Sequence, residues 1–242
     1  MLPAVPLRKD PDHKSEQLSQ VLFGETLIIK DEYKNWYRII ADFDNYAGWL
    51  EKRSVQELTA ATEKKIIVNK PIIEIEQGGN RFFIPAGSEI SKPDSDNAFN
   101  INSKTFKIKS HYEADIKQSL AETGLAFMNS PYLWGGRTAL GIDCSGLTQT
   151  VYKIHGHTIP RDAIQQANTG KEINSLSNAV EGDLLFFYSD TKNISHAGIY
   201  LGNNTIIHAS ISVHIDKIDE KGIFSSDLNK YTHYLSKITR MI

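Results

Sequence analysis

Through residue 111 the chain is a series of short apolar runs, none long enough for a helix, separated by turn residues. Val21-Leu22-Phe23 and Thr26-Leu27-Ile28-Ile29 flank Gly24-Glu25, Trp36-Tyr37-Arg38-Ile39-Ile40 alternates in part, and Ala47-Gly48-Trp49-Leu50 follows a turn at 42–45. β-Branched and aromatic runs broken about every 8–12 residues are the pattern of a small antiparallel barrel. Residues 1–57 are therefore expected to form an all-β barrel with Trp36 and Trp49 in its core. Residues 58–111 repeat the texture. Lys65-Ile66-Ile67-Val68, Pro71-Ile72-Ile73-Glu74-Ile75, Arg81-Phe82-Phe83-Ile84 and Thr105-Phe106-Lys107-Ile108 are strand-like, and Gly78-Gly79-Asn80 is a turn. A second small all-β barrel is expected there.

The texture changes near residue 112. Between Asp115 and Met128, apolar residues at Ile116, Leu120, Leu125, Ala126 and Met128 predict an amphipathic helix, weakened by Gly124 and ended by Asn129-Ser130-Pro131. Cys144 to Ile154 predicts a second helix with Leu147, Val151 and Ile154 on one side. Then Asp183 to Tyr188, His196 to Leu201 and Thr205 to Ala209 read as three consecutive strands, separated by turns at 189–195 and Gly202-Asn203-Asn204. Helices followed by an antiparallel sheet make an α+β domain over 112–242. The 242 residues thus divide into three expected domains, 1–57, 58–111 and 112–242.

Net charge is −2, without the basic excess of a nucleic-acid-binding protein. No apolar stretch reaches the roughly 18 residues that span a bilayer. The N-terminus lacks a basic segment followed by an apolar one, so no export signal is visible. The expected location is cytoplasmic for a full-length chain, and periplasmic or secreted for a processed form. A single cysteine excludes an internal disulfide and a Cys-rich zinc site. Taken alone, such a cysteine is a small buried hydrophobe.

The neighbours of Cys144 argue otherwise. It stands in Gly141-Ile142-Asp143-Cys144-Ser145-Gly146-Leu147, where a turn becomes a helix. The unpaired N–H groups and positive dipole end of a helix start favour thiolate, which is the nucleophile, and can bind a developing oxyanion. A base is needed next. His196 begins one expected strand and His208 ends the following one, across a tight connection. In an antiparallel hairpin turning near 202–204 the two lie almost opposite each other. Thiol, imidazole base and an orienting second imidazole form a nucleophilic set. His196 and His208 as zinc ligands would need a third ligand, and a cysteine at a helix start favours thiol chemistry. No metal or cofactor is expected. His155, His157 and His214 show no partner pattern and are read as surface residues.

Pro131-Tyr132-Leu133-Trp134-Gly135-Gly136, Asp143-Cys144-Ser145-Gly146-Leu147, Glu181-Gly182-Asp183-Leu184-Leu185-Phe186-Phe187, Ser195-His196-Ala197-Gly198-Ile199-Tyr200-Leu201-Gly202 and Ile207-His208-Ala209-Ser210 follow one another in order. Together they resemble the NlpC-type cysteine peptidases of bacterial cell-wall metabolism, over about residues 115–242. The resemblance implies a papain-like α+β fold, with Cys144 as nucleophile, His196 as base and His208 as third polar residue. It places Tyr132 beside the cysteine as an oxyanion support. Trp134 is either a groove wall or core. Asp143 and Ser145 flank the nucleophile and could hold substrate polar groups. Arg161-Asp162-Ala163 matches an Arg-Asp-Ala stretch of the family, which implies substrate contacts from Arg161 and Asp162, and Ile164 stands where relatives often have serine.

Residues 1–57, ending in Tyr46-Ala47-Gly48-Trp49-Leu50, resemble a bacterial SH3-like domain. Two such domains before an NlpC-type domain are similar to the γ-D-glutamyl-L-diamino acid endopeptidases that act on short wall peptides with a free N-terminal L-Ala. That likeness implies that an acid and a tyrosine of the first SH3-like domain hold the substrate's amino group. Tyr46 is the candidate tyrosine. Glu16 is the first candidate acid and Glu25 the second. The expected function is hydrolysis of the γ-D-glutamyl bond to meso-diaminopimelate or L-Lys in L-Ala-γ-D-Glu peptides, by a monomer. The alternatives are a peptidoglycan-binding protein, a hydrolase of intact wall, and an amidase or acyltransferase of the same fold.

Overall fold

The computed structural model describes residues 2–59, 65–114, 118–189, 192–226 and 228–241. The chain divides into two compact units. Unit 1 holds Met1–Ile116 with the short segment Arg137–Ala139, and unit 2 holds Lys117–Gly136 and Leu140–Ile242.

In unit 1, β1 (Ala4–Arg8), β2 (Gln17–Leu22), β3 (Leu27–Tyr33), β4 (Trp36–Ala41) and β5 (Ala47–Glu51) form an antiparallel sheet of order β2-β1-β5-β4-β3. Val5, Leu7, Val21, Ile39, Ala41 and Leu50 make its core. The strand pattern of the sequence is present, with β1 and most of β2 added. Trp36 is buried as expected, whereas Trp49 is only half-buried. The reason is the period of two: Gly48 and Leu50 face inward, so Trp49 between them faces the other way.

The next stretch contains β6 (Lys65–Ile67), β7 (Ile72–Gln77), β8 (Asn80–Pro85), β9 (Glu89–Ser91), β10 (Ala98–Ile101) and β11 (Lys104–Ile108). They pair as a four-stranded sheet β10-β11-β7-β8 and a two-stranded sheet β6-β9. Gln77 pairs with Asn80 across Gly78 and Gly79, whose φ angles of 57° and 82° are those of a type I′ hairpin turn that glycine adopts without strain. Phe23, at the end of β2, leaves its own sheet and enters the core of this second group, edge-on to Phe99 and Phe106. The backbone follows, as Glu89 N donates to Phe23 O at 2.9 Å. Unit 1 also takes in β12 (Arg137–Thr138).

Unit 2 begins with α1 (Leu120–Leu125), followed by β13 (Gly141–Ile142), α2 (Cys144–Ile154), α3 (Ala163–Gln166) and β14 (Lys171–Glu172). α1 is shorter than the sequence predicted. Ser119 caps it in a reciprocal box with Glu122, and positions 115–117 of the expected helix lie outside the described residues. Gly124, a weak helix former, lets α1 approach the sheet. A methyl group there would stand 3.4 Å from Ile207 Cγ2 and 3.6 Å from Ile199 Cδ1. α2 has the bounds the sequence predicted.

The expected strands are β15 (Leu184–Tyr188), β16 (His196–Gly202) and β17 (Thr205–Ala209), and three more follow, β18 (Val213–Asp219), β19 (Gly222–Ser225) and β20 (Lys230–Arg240). The sheet order is β14-β20-β15-β16-β17-β18-β19, and β19 pairs again with β20, so the last six strands close on themselves. Leu185, Phe187, Tyr200, Ile206, Ile218, Ile223 and Ile238 are buried together inside this closure. The opposite face, with Ile199 and Ile207, receives the helices. Among the described residues, no helix is long and apolar enough to cross a membrane.

Phe23 joins two sheets of unit 1 through a buried aromatic cluster. Phe23→Ala should destabilise the protein by about 3–5 kcal/mol, read as a lower urea midpoint at unchanged slope. A loss below about 1 kcal/mol would contradict this role for Phe23.

Candidate active site

Asp143 is the N-cap of α2, with extended backbone. Its Oδ1 accepts from Gly146 N at 2.6 Å. Its Oδ2 accepts from Gly135 N at 2.7 Å and from the Arg161 guanidinium at 2.7 Å. Arg161 also donates to Ser145 Oγ at 2.8 Å. Asp143, Ser145 and Arg161 are all buried. The side chains expected to hold substrate polar groups are thus turned on one another and on the backbone, where they frame the first turn of α2. Gly146 is part of that frame, since a methyl group there would lie 2.1 Å from Gly136 O. Asp162, partly buried, is the N-cap of α3 without a side-chain capping bond.

Cys144 is buried at the start of α2, and the backbone N–H of Ala197 hydrogen-bonds its thiol. Ala197 follows His196 directly, so β16 brings the histidine to the cysteine's end of the helix. The pull of the helix start toward thiolate is outweighed here. Burial, then the negative charge of Asp143, push the thiol up to about 12, against the smaller opposing effects of Ala197 N–H, Arg161 and Ser145 N–H. Burial also lowers the His196 imidazole well below its ordinary value, helped by His208, His233 and His214. Thiol and imidazole are therefore both neutral in the free site.

His196 and His208 meet as expected, but diagonally rather than directly across. The hairpin turns through Asn203 and Asn204, both at positive φ, and a bulge at Gly202 shifts the register. His208 therefore pairs with Gly198. The two rings meet at right angles, with His196 Nε2 2.8 Å from His208 Nδ1, and Gly198 has no side chain because a methyl group there would stand 2.6 Å from Ile206 Cδ1.

The cluster is larger than the sequence showed. His214, read as a surface residue, pairs directly with His208 on β18 and is only partly exposed. Asp216 Oδ2 lies 3.3 Å from His208 Nε2 and 3.3 Å from His214 Nε2. His233, from β20, stacks on His196 at 4.2 Å between ring centroids, and burial lowers it to about 4. The register puts these residues on the face that lines the closed sheet: His196 with Tyr200, His208 with Ile206, Asp216 with Ile218, and His233 opposite Ile223. They cap one end of its core. The ligand atoms of His208, His214 and Asp216 lie within 4.8 Å of one another, close enough to hold a divalent ion. His155, also read as a surface residue, is half-buried against Thr123 Oγ1 at 2.8 Å.

Tyr132 is partly buried. Burial, with the nearby Cys144 and Asp143, raises its hydroxyl far above the ordinary value, so it is a donor at any working pH. Trp134 is 60% exposed, which excludes the core alternative. In unit 1, Glu16 is exposed and pairs with Lys9 at 3.7 Å. Tyr46 packs against the core of the first sheet. Glu25, the second candidate acid, is ruled out. Its carboxylate is buried, accepts two hydrogen bonds from Arg137 at 2.8 and 3.0 Å, and accepts a third from Leu22 N at 2.7 Å.

Comparison with known proteins gives this geometry a lineage. Residues 129–232 match the NlpC/P60 family, and residues 7–55 match the bacterial dipeptidyl-peptidase Sh3 domain. The chain is 30% identical over 215 residues to γ-D-glutamyl-L-lysine dipeptidyl-peptidase of Bacillus subtilis (strain 168), an alignment covering 79% of this chain and 71% of that protein. It is 25% identical over 228 residues to γ-D-glutamyl-L-lysine dipeptidyl-peptidase of Bacillus cereus (strain ATCC 10987), covering 79% of this chain and 66% of that one. The crystal structure of an NlpC/P60 family protein from Bacillus cereus ATCC 10987 has the same fold, with a TM-score of 0.81 at 22% identity over 99% of this chain and 97% of that one. With a papain-like domain that carries Cys144 and His196 and an SH3 domain before it, the chain belongs to the NlpC/P60 family of peptidases.

Proposed function

We propose that this protein is a cysteine endopeptidase that cleaves the γ-D-glutamyl bond to a diamino acid in wall-derived peptides with a free N-terminal L-Ala. One observation carries the reading: the only cysteine stands at a capped helix start, against the backbone beside a buried histidine pair. The relatives named γ-D-glutamyl-L-lysine dipeptidyl-peptidases support the substrate class. In the proposed mechanism His196 takes the proton from Cys144 as sulfur attacks the γ-D-glutamyl carbonyl. Because thiol and imidazole are both neutral at rest, the proton moves with the attack rather than before it. Tyr132 and the N–H groups at the start of α2 stabilise the oxyanion. The amine leaves with the proton from His196, and a water activated by the same imidazole resolves the thioester.

In the same proposal Glu16 and Tyr46 hold the substrate's ammonium group, and Trp134 walls the groove. A carboxylate matched to an ammonium is a charge-assisted contact that a blocked amine cannot make. Residues 58–111 are proposed to be a second SH3-like domain, supported by the two packed sheets over 65–108, with the peptidase domain from 112 onward. A third-position meso-diaminopimelate or L-Lys fits the proposal equally.

Three outcomes follow. Cys144→Ala abolishes release of the diamino acid from L-Ala-γ-D-Glu-L-Lys, measured by chromatography, and full activity in that variant would end the mechanism. Acetylating the substrate's N-terminus lowers kcat/KM by at least roughly 100-fold, and equal rates would remove Glu16 and Tyr46 from the site. His196 must be neutral to act as base, and its protonation lies below the ordinary 6.5 because of burial and the facing His208, His233 and His214. The rate kcat should therefore hold level from about pH 8 to 6.5 and fall only below that. A fall complete above pH 6.5 would contradict the assignment.

A further inference from the structure

We propose that Asp216 is a positioning residue that fixes, through His208, which nitrogen of His196 is free to take the proton. The inference rests on the reading of His196 as base, and it extends the nucleophilic set by a residue that never touches substrate.

The argument is one of donors and acceptors. The Asp216 carboxylate faces the imidazoles of His208 and His214, each at 3.3 Å, a setting that favours its ionised form. An ionised carboxylate only accepts. The hydrogen in the 3.3 Å contact between Asp216 Oδ2 and His208 Nε2 therefore sits on His208 Nε2. His208 is buried and faces three other imidazoles, those of His196, His214 and His233, a setting that favours the neutral ring, so it carries one hydrogen and its Nδ1 is a bare acceptor. His196 Nε2, 2.8 Å away, must then be the donor of that contact. His196 is also neutral, which leaves its Nδ1 as the lone-pair nitrogen able to accept the thiol proton. A single carboxylate thus orders two rings in series.

Without Asp216 the opposite arrangement becomes available. His208 can carry its hydrogen on Nδ1 and donate it to His196 Nε2, which moves the His196 hydrogen to Nδ1 and removes the base. The other groups facing these rings do not fix the choice. His233 stacks on the His196 ring without a hydrogen bond between them, and His214 Nδ1 is occupied with Ser212 O at 2.8 Å. Asp216 is the carboxylate in contact with His208, and the backbone register keeps it on the same face, two residues from His214, which pairs with His208.

The test is made on the free enzyme with ¹⁵N-labelled histidine, by two-bond N–H correlation spectra that distinguish the two tautomers. In the parent protein, His196 is expected as the Nε2–H form. In Asp216→Ala the Nδ1–H form appears, and kcat falls roughly 10- to 100-fold with KM within about twofold. That is less than the ~10⁴-fold loss when a carboxylate touching the base directly is replaced. Asp216→Asn is the second variant, and in it tautomer and kcat must move together, whichever way its amide turns. A folded variant that keeps the Nε2–H form while losing kcat, or changes tautomer at unchanged kcat, overturns the proposal. So does a parent enzyme inactivated by chelator and restored by zinc, which would make the cluster a metal site. The spectra need no substrate, so a failed tautomer prediction is distinguishable from a failed peptidase assignment, which Cys144→Ala reports alone.

Discussion

The buried carboxylate of Asp143 is the contact on which the site depends. It caps α2, binds the Gly135 N–H and pairs with Arg161, which in turn holds Ser145. Leaving either ion without its partner would cost several kcal/mol at a buried position. This network fixes the direction of the first turn of α2, and with it the position of Cys144. The same proximity has an electrostatic cost, because the Asp143 charge and the loss of water both oppose thiolate. The site therefore gains precise placement and gives up a pre-ionised nucleophile. The proposed coupling of proton transfer to attack follows from that exchange.

The histidine cluster obeys the same principle. Burial keeps the His196, His208 and His233 rings neutral, and a neutral imidazole is a base on one side only. Which side is decided by hydrogen bonding, not by the residue's position. Here the chain of contacts ends on a carboxylate at the mouth of a closed sheet, where the core face of four strands runs out of apolar residues and continues in His196, His208, Asp216 and His233. The core below holds the strands in register, and the polar end above it inherits that rigidity.

Much of this was legible in the sequence wherever local pattern and structure agree. The bounds of α2 follow from the position of Asp143-Cys144 and the spacing of Leu147, Val151 and Ile154. The strands holding His196 and His208 follow from apolar runs between turn residues. What was hidden is what depends on distant parts of the chain. His233 reaches His196 only because β20 closes the sheet, which no local pattern announces. His214 and Asp216, only partly buried, alternate with the exposed Ile215 and Lys217 on β18, so no apolar alternation marked that strand. The turn at Asn203 and Asn204 could have been placed better. Two consecutive asparagines suit paired positive φ angles, yet centring the hairpin there sets His208 opposite Ile199, and it is the one-residue bulge before Gly202 that returns His208 to the face of His196. Glu25 could not be separated from Glu16 by sequence, because its partner Arg137 lies over a hundred residues away.

The account turns on a covalent intermediate at Cys144, and rapid quenching during turnover with intact-mass spectrometry tests it most directly. With L-Ala-γ-D-Glu-L-Lys as substrate, the enzyme should carry a transient adduct of the mass of the acyl dipeptide, mapped by proteolysis to Cys144 and decaying as free dipeptide appears. Turnover with no adduct at any quench time and no hydroxamate when hydroxylamine is added to trap an acyl-enzyme, or an adduct mapped to another residue, would contradict it.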